Sequence, residues 1–172
     1  MNILVAYASK HGSTADIGAA IASGLNAMGH VVEARSFSAI KSLAPYDAAV
    51  LGSAVYMGSW LPDAGRFVER YAQELTQMPV WLFSSGPLGD PPVPVDEPAG
   101  VAPLARKVHA REHHVFAGRL IPSNLGLGER LATKVVKAPA GDYRNWAEVQ
   151  EWAQSIGEFL SRSDNLAPVG SP

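Results

Sequence analysis

A stretch of small and polar residues near the start of the chain, ASKHGST at positions 8–14, carries the residue types best suited to binding an anion. It follows an apolar run and precedes a helical pattern. It therefore lies where the first backbone N–H groups of a helix have no partner and where the helix dipole favours negative charge. The residues that can donate hydrogen bonds or allow close backbone approach are Ser9, His11, Gly12, Ser13 and Thr14. This combination predicts a phosphate site built mainly from neutral donors.

The spacing in this stretch excludes several other phosphate-binding motifs. A Walker loop needs Gly-Lys-Ser/Thr, whereas Gly12 is followed by Ser13 and Thr14. The dinucleotide fingerprint needs three spaced glycines, and this turn has one. A receiver domain would need an aspartate at the end of the third strand, where a glycine and a serine stand. The remaining alternative is an ordinary capping box of Ser13 and Asp16 that binds no ligand.

Composition and charge describe a globular protein. The 172 residues suit one domain, and 47% of them are apolar and 17% charged. The net charge is −2, so nothing in the charge indicates a nucleic-acid partner. No apolar run approaches the roughly 18 residues of a membrane span, and signal-peptide features are absent, so we expect a cytoplasmic protein. The chain has no cysteine. This excludes disulfides, cysteine-ligated clusters and thiol nucleophiles, so redox chemistry would need a bound cofactor.

Apolar runs alternate with amphipathic patterns along the chain, which indicates an α/β fold with a parallel sheet and helices on both faces. The predicted strands are 3–8, 31–37, 48–52, 80–83 and 115–118. The predicted helices are 13–28, 64–75, 101–109 and 146–160. Five strands in this length fit the doubly wound order 2-1-3-4-5, in which ligands bind at the carboxyl ends of strands 1 and 3. We therefore expect the functional loops to follow Ala8, Gly52 and Ser84.

The sequence predicts no site at the end of the chain, and none at the histidines of positions 109–114. Asn145 is expected to cap the last helix, with Glu148 completing a capping box. The predicted domain covers residues 1–162, and the polar residues 163–172 are expected to form a flexible tail. The histidines with a spacing similar to that of metal ligands are His109, His113 and His114. A helix-to-strand boundary separates the first of them from the other two, so no metal site is predicted.

The stretch YASKHGSTADIG resembles the flavodoxin signature, in which the loop after strand 1 binds the phosphate of FMN. The resemblance extends over most of the chain, through YDAAVLGSAVYMGSW, WLFSSGPLGD and HVFAGRL. It implies a flavodoxin-like fold with FMN as cofactor. It also implies a phosphate loop formed by Ser9, Lys10, His11, Gly12, Ser13 and Thr14.

The resemblance places the isoalloxazine ring against the loop after strand 3. The ring-binding residues it implies there are Ser53, Ala54, Val55, Tyr56, Met57 and Gly58. Tyr56 and Trp60 offer flat apolar faces for stacking; alternatively, Trp60 caps the second helix and Tyr56 fills the loop. In flavodoxins a peptide of this loop hydrogen-bonds flavin N5 and changes orientation with redox state, which corresponds here to Met57-Gly58.

The loop after strand 4 is the third part of the implied FMN site. Its backbone N–H groups can bind the pyrimidine edge of the flavin, and the implied residues are Ser84, Ser85, Gly86, Pro87 and Leu88. The alternative is a simple turn at Gly86-Pro87, and the role of Asp90 is left open.

A narrower resemblance is to the flavodoxin-like menaquinone-dependent protoporphyrinogen oxidases, which oxidise a porphyrinogen at FMN and pass electrons to a quinone. It rests on YDAAVLGSAVYMGSWLPDAGRFVERY, VFAGRL and GDYRNWAEVQEWA. The family's long basic and aromatic segment after strand 5 is shorter here, at 121–143, with no aromatic residue before Tyr143. The basic residues available to meet substrate carboxylates, or else to form a solvated face, are Arg119, Arg130, Lys134 and Lys137.

Three functions remain open on the sequence. The first is an FMN-dependent oxidoreductase, protoporphyrinogen-oxidase-like, in which the flavin is the reactive centre and no side chain is an obligatory catalyst. Its partners would be a small-molecule redox substrate or a quinone, and the protein would be a monomer or homodimer. The second is an electron carrier between redox proteins, although carriers of this kind are strongly acidic. The third is a flavodoxin-fold module that has lost redox activity.

Overall fold

The computed structural model of the chain describes residues 1–86, 97–121 and 140–164. Its strands are β1 (Asn2–Ala8), β2 (Val31–Ser36), β3 (Ala48–Tyr56), β4 (Ser59–Trp60), β5 (Val80–Ser85), β6 (Glu112–Phe116), β7 (Arg119–Leu120) and β8 (Gly141–Asp142). Its α-helices are α1 (Ser13–Ala27), α2 (Pro62–Arg70), α3 (Ala72–Leu75), α4 (Val101–Lys107) and α5 (Trp146–Asp164). A short 3-10 helix, Phe37–Ala39, follows β2.

The central sheet has the predicted doubly wound order. Five parallel strands are arranged β2-β1-β3-β5-β6, which is the order 2-1-3-4-5 when the two-residue strand β4 is set aside. β4 pairs antiparallel with β3 and forms a hairpin that the sequence did not predict. β1, β3 and β5 are buried along most of their length because helices cover both faces, whereas the edge strand β2 is mostly exposed or half-buried.

Two hydrophobic clusters, one on each face of the sheet, hold the helices in place. One cluster combines side chains of α1 and α5 with Ile3, Val5, Val50 and Phe83 of the strands. The other combines α2, α3 and α4 with the strand residues that point the opposite way, such as Leu4 and Leu51. Helices on both faces, as predicted, are therefore confirmed.

Local differences from the sequence-based expectations lie in the second helix and in the strand expected over 115–118, which is formed by Glu112–Phe116. The helix expected over 64–75 is divided at Tyr71, which has φ −109° and ψ 18° and separates α2 from α3. Asn145 caps α5 as expected, because its Oδ1 accepts hydrogen bonds from the N–H groups of Ala147 (3.1 Å) and Glu148 (3.3 Å). The Glu148 carboxylate bonds His114 Nε2 at 2.9 Å and so ties the start of α5 to β6.

A two-stranded antiparallel ribbon lies beside the main sheet. It pairs Arg119 with Asp142 and Leu120 with Gly141, and the N–H of Tyr143 donates to the carbonyl of Gly118 at 3.1 Å. The ribbon joins the two ends of the segment 122–139, which lies outside the described residues together with Arg130, Lys134 and Lys137. Of the predicted tail 163–172, the first two residues belong to α5, and residues 165–172 are likewise outside the described residues.

The described part of the chain contains neither a membrane-spanning helix nor a metal-ligating cluster. None of its helices has the length and apolarity needed to cross a membrane. Within residues 1–86, 97–121 and 140–164, no three His, Asp or Glu side chains are grouped so as to hold a metal ion.

Gly52 in the middle of β3 is required by the packing of Phe83 from the neighbouring strand. A Cβ on Gly52 would lie 2.1 Å from ring carbons of Phe83, which is fully buried. We therefore expect Gly52→Ala to lower the free energy of unfolding, measured by urea denaturation, by roughly 1–3 kcal/mol through overpacking.

The matched control is Gly65→Ala in α2, where a Cβ would meet nothing within 4 Å. Alanine there should raise the free energy of unfolding by up to about 1 kcal/mol because it has the higher helix propensity. Equal stability of Gly52→Ala and the parent protein would contradict this account of the core.

Candidate functional site

Strand register brings the three predicted loops to one edge of the sheet. Ala8 at the end of β1 pairs with Ser53 of β3, and Ser53 pairs with Ser84 of β5. Because these strands are parallel, the loops that follow them leave the sheet on the same side. We call the segments 9–14, 53–60 and 84–86 the first, second and third loops.

The first loop contains buried hydroxyl groups that lack partners. Ser9 Oγ, Ser13 Oγ and Thr14 Oγ1 are buried, and none forms a hydrogen bond within the described part of the chain; the Thr14 side chain is only 1% exposed. A buried hydroxyl without a partner costs about 1–3 kcal/mol, so three of them at the start of a helix indicate a place for a polar ligand.

Helix α1 begins at the end of the first loop without a side-chain cap. Gly12 is the N-cap residue of α1 with φ +85°, in the left-handed region that glycine adopts without strain. No side chain caps the helix, and the N–H of Asp16 donates to the carbonyl of Gly12 at 2.9 Å as the first helical bond. The capping box of Ser13 and Asp16 is thus not formed, and the hydroxyl of Ser13 has no partner within the described residues.

The first and second loops contact each other through the ring of Tyr56. The Nζ of Lys10 lies 5.1 Å from the centroid of this ring, and the His11 ring lies 6.2 Å from it at an angle of 50°. Tyr56 is half-buried. The predicted phosphate residues and the predicted ring-stacking residue therefore lie side by side.

The second loop is a tight β-hairpin. Tyr56 pairs with Ser59 across a two-residue turn of Met57 and Gly58, whose φ values are 49° and 76°. Positive φ at both residues is typical of a type I′ turn. Met57 is fully exposed at its tip, and the carbonyl of Gly58 accepts a hydrogen bond from the N–H of Ala99 at 2.7 Å.

Two predicted site serines use their hydroxyls to support the loops. Ser53 Oγ accepts from the N–H of Leu61 at 3.0 Å and donates to the carbonyl of Ala54 at 2.9 Å. Ser84 Oγ accepts from Trp60 Nε1 at 2.7 Å. The side chains of both serines are therefore occupied by hydrogen bonds within the fold.

Trp60 of the second loop packs into the fold, since its side chain is only 9% exposed and its indole N–H is bonded to Ser84.

The third loop lies against the second. A Cβ on Gly86 would be 2.8 Å from the Val55 Cβ, so the two residues are in close contact. The other predicted residues of this loop, Pro87 and Leu88, lie outside the described residues, as does Asp90.

A hydrogen-bonded chain below the second and third loops was missed by sequence reasoning. The ring of His113 bonds Ser84 Oγ through Nε2 at 2.8 Å and the Glu97 carboxylate through Nδ1 at 3.1 Å. Burial lowers the pKa of His113 from its usual 6.5, while Glu97 acts in the opposite direction. The sequence assigned His113 no role, because its contact with Ser84 joins two neighbouring strands that are far apart in the sequence.

A second missed feature is a cluster of two arginines and two aspartates beside the first loop. Arg144 is 4% exposed and binds Asp16 at 2.8 Å and Asp142 at 2.6 Å, with its guanidinium 4.5 Å from the centre of the Trp146 ring. Hydrogen bonding by Arg144 lowers the pKa of Asp142. Arg119 Nη2 lies 3.2 Å from Asp16. Asp16 and Arg144 are 128 residues apart in sequence, so no local pattern indicated their contact.

Comparisons with known proteins identify the fold family. A family model described as a flavodoxin domain matches residues 4–146. A flavodoxin from Archaea has a TM-score of 0.64 at 16% identity, covering 94% of this chain and 99% of that one. A Streptococcus pneumoniae flavodoxin has a TM-score of 0.63 at 16% identity, covering 95% and 99%.

A larger protein contains a similar domain. Rubredoxin oxygen:oxidoreductase from Desulfovibrio gigas has a TM-score of 0.64 at 12% identity, covering 94% of this chain and 36% of that one. At these identities the structural likeness shows the fold alone. A comparison with curated proteins found no match.

The flavodoxin domain model implies FMN as the cofactor, and the first loop fits the phosphate of this group. Buried hydroxyls without partners, a glycine at the N-cap and the start of α1 are the features that a phosphate monoester requires. Tyr56 beside this loop offers an aromatic face to a ring.

Thr14→Val tests whether the unpartnered hydroxyl is kept for a ligand. Valine has the same shape without the hydroxyl, so the cofactor-free protein should gain roughly 1–3 kcal/mol in free energy of unfolding. FMN should at the same time bind about ten- to a hundredfold more weakly, because a hydrogen bond to a charged group contributes about 1.5–3 kcal/mol. Urea denaturation and flavin fluorescence titration give the two quantities.

Ser23→Ala on the exposed side of α1 is the control and should change neither quantity appreciably. A Thr14→Val protein that is less stable without cofactor, and that binds FMN as tightly as the parent, would show that the hydroxyl is structural.

The buried His113 makes stability depend on pH. Its folded-state pKa is lowered, so its contribution to stability is fully present above about pH 6.5 and is lost as the pH falls through the folded pKa. We expect the free energy of unfolding to decrease on acidification below about pH 6.5, and His113→Gln to flatten this decrease. The control is Ser23→Ala at an exposed position of α1, where the pH profile should keep its shape. A profile that is unchanged in His113→Gln would refute the assignment.

Proposed function

The chain belongs to the flavodoxin domain family, and from this premise we propose that it is an FMN-dependent oxidoreductase acting on a small reduced substrate. The observation that carries the proposal is the set of buried, unpartnered hydroxyls of Ser9, Ser13 and Thr14 at the start of α1. Such groups suit the phosphate of FMN, and the half-buried ring of Tyr56 beside them suits its ring.

Each loop has a separate part in this proposal. The first loop binds the phosphate, with Lys10 and His11 at its outer side. The second loop places the ring of Tyr56 and the Met57-Gly58 peptide against the flavin. The third loop, beginning at Ser84, supplies backbone N–H groups to the pyrimidine edge. When bound, FMN supplies hydride and electron transfer, so the protein positions the reactants and excludes water.

Charge around the loops supports an enzyme more than a carrier. Lys10 lies in the first loop near the Tyr56 ring, and the net charge of the chain is only −2. This surface suits a substrate with carboxylates better than it suits a basic redox partner. The resemblance of YDAAVLGSAVYMGSWLPDAGRFVERY and GDYRNWAEVQEWA to the menaquinone-dependent protoporphyrinogen oxidases supports a porphyrinogen as substrate and a quinone as acceptor.

The second candidate function is electron transfer between protein partners. The solved structures that are similar to this chain include flavodoxins matched over almost their whole length, which supports electron transfer as a second candidate. The third possibility, a module without redox activity, would require the first loop to have lost its ligand.

Purified protein reconstituted with FMN distinguishes these functions. Under the proposal, a porphyrinogen reduces the bound flavin and a quinone reoxidises it, and both steps are followed at the flavin absorption band without oxygen. Exchange with reduced redox proteins and not with the small molecules would instead assign the carrier function. A protein that cannot be reconstituted with FMN would overturn both and leave the inactive module.

A further inference from the structure

We propose that Arg119 is a phosphate ligand of the FMN site, held ready by Asp16 and Arg144, and that it determines the preference for FMN over unphosphorylated riboflavin. The inference rests on the FMN binding in the proposed function. It differs from the sequence-based interpretation of the first loop, in which neutral donors carry the site, and from the interpretation of Arg119 as a substrate-binding residue.

Arg119 lies directly beside the first loop. Its Nη2 is 3.7 Å from the position that a Cβ on Gly12 would occupy, which is van der Waals contact. Gly12 is the N-cap of α1, so the guanidinium is next to the turn that presents the free N–H groups of the helix. The buried, unpartnered hydroxyl of Thr14 belongs to the same turn and independently indicates a polar ligand there.

Of the two arginines in this cluster, Arg119 is the more available to bind an anion, because Arg144 is already paired with two carboxylates. Arg144 donates hydrogen bonds to both Asp142 and Asp16, and its side chain is 4% exposed. Arg119 is 24% exposed, and within the described part of the chain its one ion pair is the 3.2 Å contact with Asp16. Because Arg144 already neutralises much of the charge on Asp16, the guanidinium of Arg119 retains donors and charge for an anion.

The β7–β8 ribbon fixes Arg119 at this place. Arg119 begins β7 and is paired with Asp142 of β8, which in turn binds Arg144. The carboxylate of Asp16, in the first turn of α1, forms ion pairs with both arginines. This one carboxylate therefore joins the ribbon to the start of α1. In this arrangement Asp16 and Arg144 are positioning residues and Arg119 is the ligand.

The preference for FMN over riboflavin can be measured because the two molecules differ only in the phosphate monoester. The group carries about −1.5 to −2 charges near pH 7, and Arg binds it through charge-assisted, often bidentate hydrogen bonds. Riboflavin has the same ring without this charge. A cationic ligand therefore strengthens FMN binding selectively, and its effect decreases as salt rises.

The test compares Arg119→Gln and Arg119→Lys with the parent protein in titrations with FMN and with riboflavin at low and high salt. We expect Arg119→Gln to weaken FMN binding about tenfold or more, to leave riboflavin binding within about twofold, and to reduce the salt dependence for FMN. Lysine keeps the charge but not the planar fork and should give an intermediate affinity. The control is Arg162→Gln, which removes an exposed arginine that pairs with Glu158 near the C-terminal end of α5.

The outcomes separate this inference from the proposed function. If the parent protein binds FMN and Arg119→Gln leaves the FMN-to-riboflavin ratio unchanged, Arg119 is not a phosphate ligand although the proposed function stands. A variant that impairs substrate saturation alone would assign Arg119 to substrate carboxylates and also overturn the inference. If the parent binds neither flavin, both fail. Urea denaturation of each cofactor-free variant shows whether a loss of affinity follows from unfolding.

Discussion

The alignment of Ala8, Ser53 and Ser84 across three neighbouring parallel strands is the constraint on which the site depends. A shift of one residue in any of these strands would turn its side chains to the opposite face and would move one loop away from the other two. The packing of Phe83 on Gly52 opposes such a shift, because no larger residue fits beneath the ring. The same contact that fills the core thus sets the spacing of the loops.

The loops divide their polar groups between stability and binding. Ser53 and Ser84 are satisfied by contacts with Leu61 and Trp60, and those bonds hold the second loop against the sheet. The hydroxyls of the first loop, including that of Thr14, are buried and unpartnered in the described chain. Buried polar groups with partners make a rigid support, whereas those without partners store free energy that a bound anion can release.

The fold was predictable from the sequence because its signals are local. Continuous apolar runs indicated β1, β3 and β5, a helical stripe indicated α1, and glycine followed by hydroxyl residues indicated the phosphate loop. The strand order followed from the length and the alternation of elements. The roles of individual residues in the three loops remain predictions.

The features that escaped prediction depend on contacts between distant residues. The β3–β4 hairpin lacks the Asn-Gly or Asp-Gly signal, since its turn is formed by Met57 and Gly58. The pairing of Asp16 with Arg144 and the bond between Ser84 and His113 join elements that are far apart in the sequence. No periodicity carries such information, because each contact is set by how two packed elements meet.

The turn at the tip of the second loop has a consequence for the peptide between Met57 and Gly58. Rotating the central peptide of a type I′ turn gives a type II′ turn, in which the first residue keeps a positive φ and glycine is strongly preferred. The first residue here is Met57, at φ 49°, in the position where a type II′ turn prefers glycine. The reverse orientation of this peptide is therefore disfavoured by a single methionine side chain.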